Sequence, residues 1–224
     1  IGKVYHINCF FEQDFYADPA LPYNWHFKKA KAGGGALFTI APHMIDTARY
    51  LIGDFEEATA LGETYIKERR LPGEESKTDI VDVDDATGFL VKFKNGAIGT
   101  FLTSWVARGR KHHFEFEIAG SKGTIIFNSE RLNEIQLAEV ENDKKKEGIK
   151  TILIGSEHPY GQEFNLKTGM GIGAKEAFTI QLGDFIKSII NGQQASPDFY
   201  DGLQVVKYTE LLQEAADKRR WVKF

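Results

Sequence analysis

The chain has 224 residues, a formal net charge of −4, 42% hydrophobic and 12% aromatic residues, which fits one large globular domain or two small ones and argues against disorder. With no concentrated basic face, charge gives no reason to expect a nucleic-acid or anionic-membrane partner, and no apolar run approaches the roughly 20 residues of a membrane span. Cys9 is the single cysteine, which excludes an intrachain disulfide or a multi-cysteine zinc cluster and points to a reducing, cytoplasmic setting.

The first residues, Ile1-Gly2-Lys3-Val4-Tyr5, resemble neither a signal nor a transit peptide. Alternation of branched and aromatic residues predicts a strand from Val4 to Phe11. A strand that begins so early reads like the middle of a longer protein. A polar, aromatic loop follows from Gln13 to Lys31. Gly33-Gly34-Gly35 then opens one predicted helix, with apolar positions Leu37, Ile40, Met44, Ile45, Ala48 and Leu51 three and four apart, and Gly53 ends it.

From Phe55 to about Ile154 the pattern is nearly all strand. Strands are predicted over Glu57 to Glu68, Ala86 to Lys94, Ala97 to Val106, His113 to Ala119, Thr124 to Asn128, Arg131 to Val140 and Lys150 to Ile154. Asn95-Gly96 is predicted to supply both positive-φ positions of a type I′ hairpin turn, and Gly120-Ser121-Lys122-Gly123 a second hairpin. The basic runs Arg69-Arg70 and Lys144-Lys145-Lys146 are read as solvated surface.

Two helices close the chain. Ala174 to Ile190 carries Phe178, Leu182, Phe185, Ile186 and Ile189 on one stripe and stops at Asn191-Gly192. The last begins after Pro197, with Asp201 as its cap and Gln204 three residues on. No repeat or long linker divides the chain. The expectation is a single domain: a large, mostly antiparallel open sheet with helices packed on one face and an interface on the other.

Several catalytic patterns are missing. Gly33-Gly34-Gly35 follows a loop rather than a strand, and Gly169-Met170-Gly171-Ile172-Gly173 has the wrong spacing for a dinucleotide fingerprint. No Gly-x-Ser-x-Gly occurs. No metal is expected, since adjacent His112 and His113 on a strand point to opposite faces and His43 with Asp46 gives two ligands. Cys9, in an apolar strand, reads as a structural thiol.

One stretch is more specific. Trp25, then Ala32-Gly33-Gly34-Gly35-Ala36-Leu37-Phe38-Thr39-Ile40-Ala41-Pro42-His43-Met44-Ile45-Asp46, then Tyr50-Leu51-Ile52-Gly53 resembles the oxidoreductase family of glucose-fructose oxidoreductase, inositol dehydrogenase and MocA (Gfo/Idh/MocA). That family has a Trp, a glycine-rich opening, a helix reading Asp-x-Gly-x-His-x-x-Asp and then Leu-x-Gly. Ile1-Gly2, Val83-Asp84-Asp85 before Phe93-x-Asn95-Gly96-Ala97, Ile118 to Thr124, and Phe199-x-Asp201-Gly202 look like its other landmarks in order.

The resemblance implies that residues 1–224 are the substrate-side, C-terminal domain of an NAD(P)-dependent sugar or polyol oxidoreductase, with the N-terminal Rossmann domain absent from this chain. NAD or NADP would then serve the full-length enzyme. The chain alone is expected to bind neither and to be inactive. Further implied are a sugar or polyol ligand and homo-oligomers formed through the sheet face.

In the family the His and the Asp four residues before it act with a Lys of the nucleotide-binding domain on the reacting carbinol. The catalytic candidates carried over are His43 and Thr39, with Asp46 supporting the site and Trp25, Gln13, His112 and His158 as sugar contacts. Thr39 stands where the family has Asp and Ala41 where it has Gly. A threonine hydroxyl hydrogen-bonds but cannot take up a proton at neutral pH, so the proton relay differs or is lost. The alternative is a stand-alone, non-catalytic carbohydrate-binding or assembly module.

Overall fold

The computed structural model describes residues 1–164 and 167–224. Among them nine strands form one sheet in the order β10-β9-β8-β7-β1-β6-β5-β2-β11. These are β1 (Val4–Glu12), β2 (Phe55–Glu63), β5 (Ala86–Phe93), β6 (Ile98–Ser104), β7 (His113–Gly120), β8 (Gly123–Asn128), β9 (Glu134–Glu139), β10 (Lys150–Leu153) and β11 (Val222–Lys223). Strands β3 (Glu68–Leu71) and β4 (Glu74–Ile80) make a separate hairpin. Only β1 and β6 pair in parallel; every other pair in the large sheet is antiparallel, giving the α+β architecture expected.

Side chains alternate across these strands. Ile7, Cys9 and Phe11 of β1, Phe89, Val91 and Phe93 of β5, and Phe101 of β6 are all buried on one face. Helices α2 (Ala36–Thr39), α3 (Ala41–Leu51) and α5 (Phe199–Lys218) supply the matching stripe. Leu37, Ile40, Met44, Ile45, Ala48, Val205, Tyr208, Leu212 and Ala215 complete the core. Each fully buried aliphatic or aromatic side chain contributes about 1.5–3 kcal/mol. The opposite face stays open, with Leu61, Leu90 and Ile98 exposed.

Several expectations need correction. The single helix after the glycines is two segments joined at Ile40. Pro42 has no amide hydrogen, and His43 N donates to Ile40 O at 3.3 Å rather than continuing the regular ladder. At the β5–β6 turn Gly96 has φ 88° while Asn95 is not in the left-handed region. Gly96 N donates to Phe93 O at 2.9 Å, so Lys94 and Asn95 are the turn's centre and Gly96 forms the bulge that follows, in place of a type I′ turn.

The α5 cap is Asp198, whose side chain accepts from the amides of Tyr200 and Asp201. Asp201 is its reciprocal partner, one turn inside the helix, and not the cap. The strand predicted over Glu57 to Glu68 ends at Glu63, because Asp85 captures the amides of Tyr65 and Ile66 at 2.7 and 2.8 Å.

Arg69 is not solvated surface: it is 1% exposed. Its guanidinium donates to the carbonyls of Tyr16 at 2.6 Å and Asp18 at 2.7 Å and lies over the Phe27 ring at 4.4 Å. Arg70 and Lys144 to Lys146 are exposed, as expected. Helix α4 (Ala174–Ile190) forms where predicted, but its stripe of Phe178, Leu182, Phe185, Ile186 and Ile189 is exposed rather than packed into this core.

Candidate active site

Three elements converge at one end of the sheet. The last turn of β1 brings Phe11, the residue before β7 brings His112, and the first turn of α3 brings His43. Phe11 is 5% exposed. Its ring meets His43 at a centroid distance of 5.7 Å and His112 at 5.1 Å, both edge-on, and Phe114 at 5.1 Å.

His43 is exposed on its outer side, while the buried Phe11 ring stands against it on the other. This burial, followed by the charge of His112, pushes its pKa below the usual histidine range, while Asp46 pulls weakly the other way. A neutral imidazole at pH 7 is a proton acceptor. His43 and His112 line a cavity of about 870 Å³ with Asp46, Ser129, Phe114 and Phe127 among its other walls. A neighbouring hollow of about 600 Å³ shares Asp46, Thr47, Phe114, Phe127, Pro197 and Asp201. The two form a trough with histidines at one end and an aromatic floor, where Phe116 and Phe127 lie 5.3 Å apart.

The structure thus brings together three of the residues singled out by sequence: His43, Asp46 and His112. It places the others elsewhere. Thr39 is exposed at the end of α2, before the Ile40 joint, and does not line the cavity. Trp25 opens a short 3-10 helix, 55% exposed, with its indole stacked on His26 at 3.8 Å. Gln13 is tied to Ser104 and Ala107 through its backbone. His158 accepts from Gly155 N at 3.1 Å within a local turn. Ser129, Phe114 and Phe127 carried no distinguishing motif, because their role arises from strands that meet only in the fold.

The remaining nucleophile and phosphate candidates are occupied or shielded. Burial pushes the Cys9 thiol up, out of reach as a nucleophile. The amide of Gly35 donates to the Asp84 carboxylate at 2.9 Å, and the amide of Gly173 donates to Glu176 at 2.8 Å. A carboxylate of this chain therefore sits at the start of each glycine-led helix, where a phosphate would otherwise bind. Among the described residues no group of three or more His, Cys, Asp or Glu side chains is placed to hold a metal ion, and no helix is long and apolar enough to cross a membrane.

A family model described as the GFO/IDH/MocA C-terminal domain matches residues 1–126. The chain belongs to the Gfo/Idh/MocA family. It is 39% identical to levoglucosan dehydrogenase of Pseudarthrobacter phenanthrenivorans over 99% of this chain and 60% of that protein. A solved levoglucosan dehydrogenase complex with NADH and levoglucosan superposes with a TM-score of 0.94 at 39% identity, covering 100% of this chain and 59% of that one. An oxidoreductase domain protein from Kribbella flavida gives 0.95 at 34% identity, again covering 100% of this chain and 60% of the other. The chain therefore spans about 60% of the length of the levoglucosan dehydrogenase it resembles.

Proposed function

We propose that this chain is the substrate-side half of an NAD(P)-dependent sugar or polyol dehydrogenase whose nucleotide-binding lobe lies outside these 224 residues. The observation that carries the reading is the imidazole of His43, packed edge-on against Phe11 and lining the histidine end of a trough floored by phenylalanines. Sugars and polyols have hydroxyls for His43, His112 and Asp46 and apolar C–H faces for Phe114 and Phe127. Oxidation of a carbinol sends a proton from its oxygen and a hydride from its carbon; His43, lining the trough, is the candidate acceptor of the proton, and the nicotinamide held by the other lobe would take the hydride.

About two-fifths of the length of the relatives captured with NADH lies outside the part that this chain matches, and both glycine-led helix starts of this chain are filled by its own carboxylates. Nicotinamide binding is therefore assigned to the other lobe. The exposed stripe of α4, whose first turns border the trough, supplies an apolar surface against which such a lobe can pack. A second copy is assigned to the open sheet face, where Leu61, Leu90 and Ile98 are exposed. Thr39 in place of a carboxylate leaves His43 without the family's acidic partner, which favours the second reading of a non-catalytic carbohydrate-binding module.

The experiment is a fluorescence titration of the chain with NADH, alone and with levoglucosan. No quenching is expected in either case. Binding at micromolar concentration would place the cofactor site within this chain and overturn the division of labour.

A further inference from the structure

The three amides that open α2 all end on one residue, 47 to 49 positions away in sequence. Gly35 N donates to Asp84 Oδ1 at 2.9 Å, Leu37 N to Asp84 Oδ2 at 2.8 Å, and Ala36 N to the Asp84 carbonyl at 3.0 Å. A helix start normally takes such a cap from its own N-cap side chain. Here the N-cap is Gly35, which has none, so a residue just before β5 does the capping.

The surroundings are shaped to admit that carboxylate. A Cβ on Gly35 would lie 1.9 Å from the Asp84 carbonyl oxygen and 2.8 Å from Oδ1. Glycine is needed there for this close approach. Thr87, 1% exposed, adds a hydroxyl donor at 2.8 Å. Next door, Asp85 performs a different task, accepting from Tyr65 N, Ile66 N and, at 2.7 Å, Trp105 Nε1.

What Asp84 holds leads directly to the site. Ile40 N donates to Ala36 O at 2.9 Å, and His43 N donates to Ile40 O. Ile40 and Ala41 are buried, so the joint between α2 and α3 cannot swing freely. The direction of the His43 side chain therefore depends on where α2 begins.

We propose that Asp84 is a positioning residue for His43: from outside the glycine-rich segment, its carboxylate fixes the first turn of α2 and, through the Ile40 joint, the aim of the imidazole into the trough. The proposal takes its functional meaning from the reading of His43 as the site's imidazole. Its geometry stands without that reading. Loss of the carboxylate frees the Gly35 and Leu37 amides and lets α2 and the joint shift.

The test compares Asp84→Asn with Asp85→Asn in this chain. The readouts are the His43 imidazole nitrogen shifts by NMR and hydrogen exchange at Gly35 and Leu37. The expected result for D84N, which keeps one acceptor oxygen and turns the other into an NH2 donor, is a displaced His43 signal and about tenfold faster exchange at the amide left without its acceptor. D85N should lower the melting temperature yet leave His43 in place.

An unmoved His43 in folded D84N overturns the proposal, as does an equal displacement in D85N. Should D84N fail to fold, Thr87→Val decides: it removes one donor, and it must move His43 in the direction of greater exchange at Leu37 or the proposal falls. Sugar binding by the unaltered chain tests His43 as the site independently, so the two failures are distinguishable.

Discussion

The ring of Phe11 stands edge-on to the imidazole of His43, centroids 5.7 Å and planes 63° apart. It meets His112 in nearly the same way, so one buried phenylalanine at the end of β1 forms a wall shared by both histidines. Water is kept from one side of His43 while the other side faces the trough. That asymmetry sets the protonation of the group on which the proposed chemistry depends.

His43 should therefore titrate below the roughly 6.5 of an unperturbed histidine. Because burial is the largest cause and His112 the next, His112→Gln should raise its pKa and Asp46→Asn should lower it further. In the unfolded chain the imidazole takes its proton near the ordinary value. The folded state therefore loses stability as pH falls from about 6.5 through the lowered folded value, and regains it as pH rises. Histidine-resolved NMR titration measures this, and a value at or above 6.5 would contradict the account.

Arg69 and Arg70 are neighbours with opposite surroundings. Arg69→Met leaves the carbonyls of Tyr16 and Asp18 without their donor and removes the cation from the Phe27 face. The expected cost is about 3 kcal/mol, or a fall of about 10 °C in melting temperature for a chain of this size. Arg70→Met should stay within about 0.5 kcal/mol of the unaltered chain. Equal effects in thermal unfolding would show that the clamp is not what holds the Gln13 to Phe27 loop.

Asp198→Ala removes the cap of α5 and should cost about 1 kcal/mol in urea unfolding. Its neighbour Gln194 donates to the same carboxylate at 3.1 Å, but that bond lies on the surface and should add little. No loss of stability would return the cap to Asp201.

Much of this architecture is legible in the sequence, for identifiable reasons. Period-two alternation in β1, β5, β6 and β7 and the three-four spacing of Met44, Ile45 and Ala48 report burial on one face, which is a local property. The short partners are another matter. Among the described residues strand β4, rich in charge, pairs with β3 alone, and β11 is two residues fixed by Ala58 and Glu57 opposite. The buried state of Arg69 depends on the carbonyls of Tyr16 and Asp18, around fifty positions away. The glycine triplet is visible, but the need for its third member, the approach of Asp84 to Gly35, is one that no spacing rule shows. At the site, His43 and Asp46 could be singled out from one helix, whereas Phe11, Phe114 and Phe127 gain their role only from the pairing of β1, β7 and β8.

In a dehydrogenase built as proposed, with a nucleotide-binding lobe joined to this chain, His43→Asn should lower kcat/KM with a sugar or polyol by about 10² to 10⁴, the range for losing a positioned acid–base group. Steady-state kinetics with the nucleotide-binding lobe present provides the check. A change under tenfold would reduce His43 to a structural residue.

The most direct test of the central claim is an imidazole-resolved NMR titration of this chain with millimolar levoglucosan, and with myo-inositol in parallel. The account predicts that at least one of them saturably shifts His43 and His112 while His158, in its own turn, stays still. Unmoved His43 signals with both ligands, or shifts confined to residues away from the Phe11 wall, would contradict it.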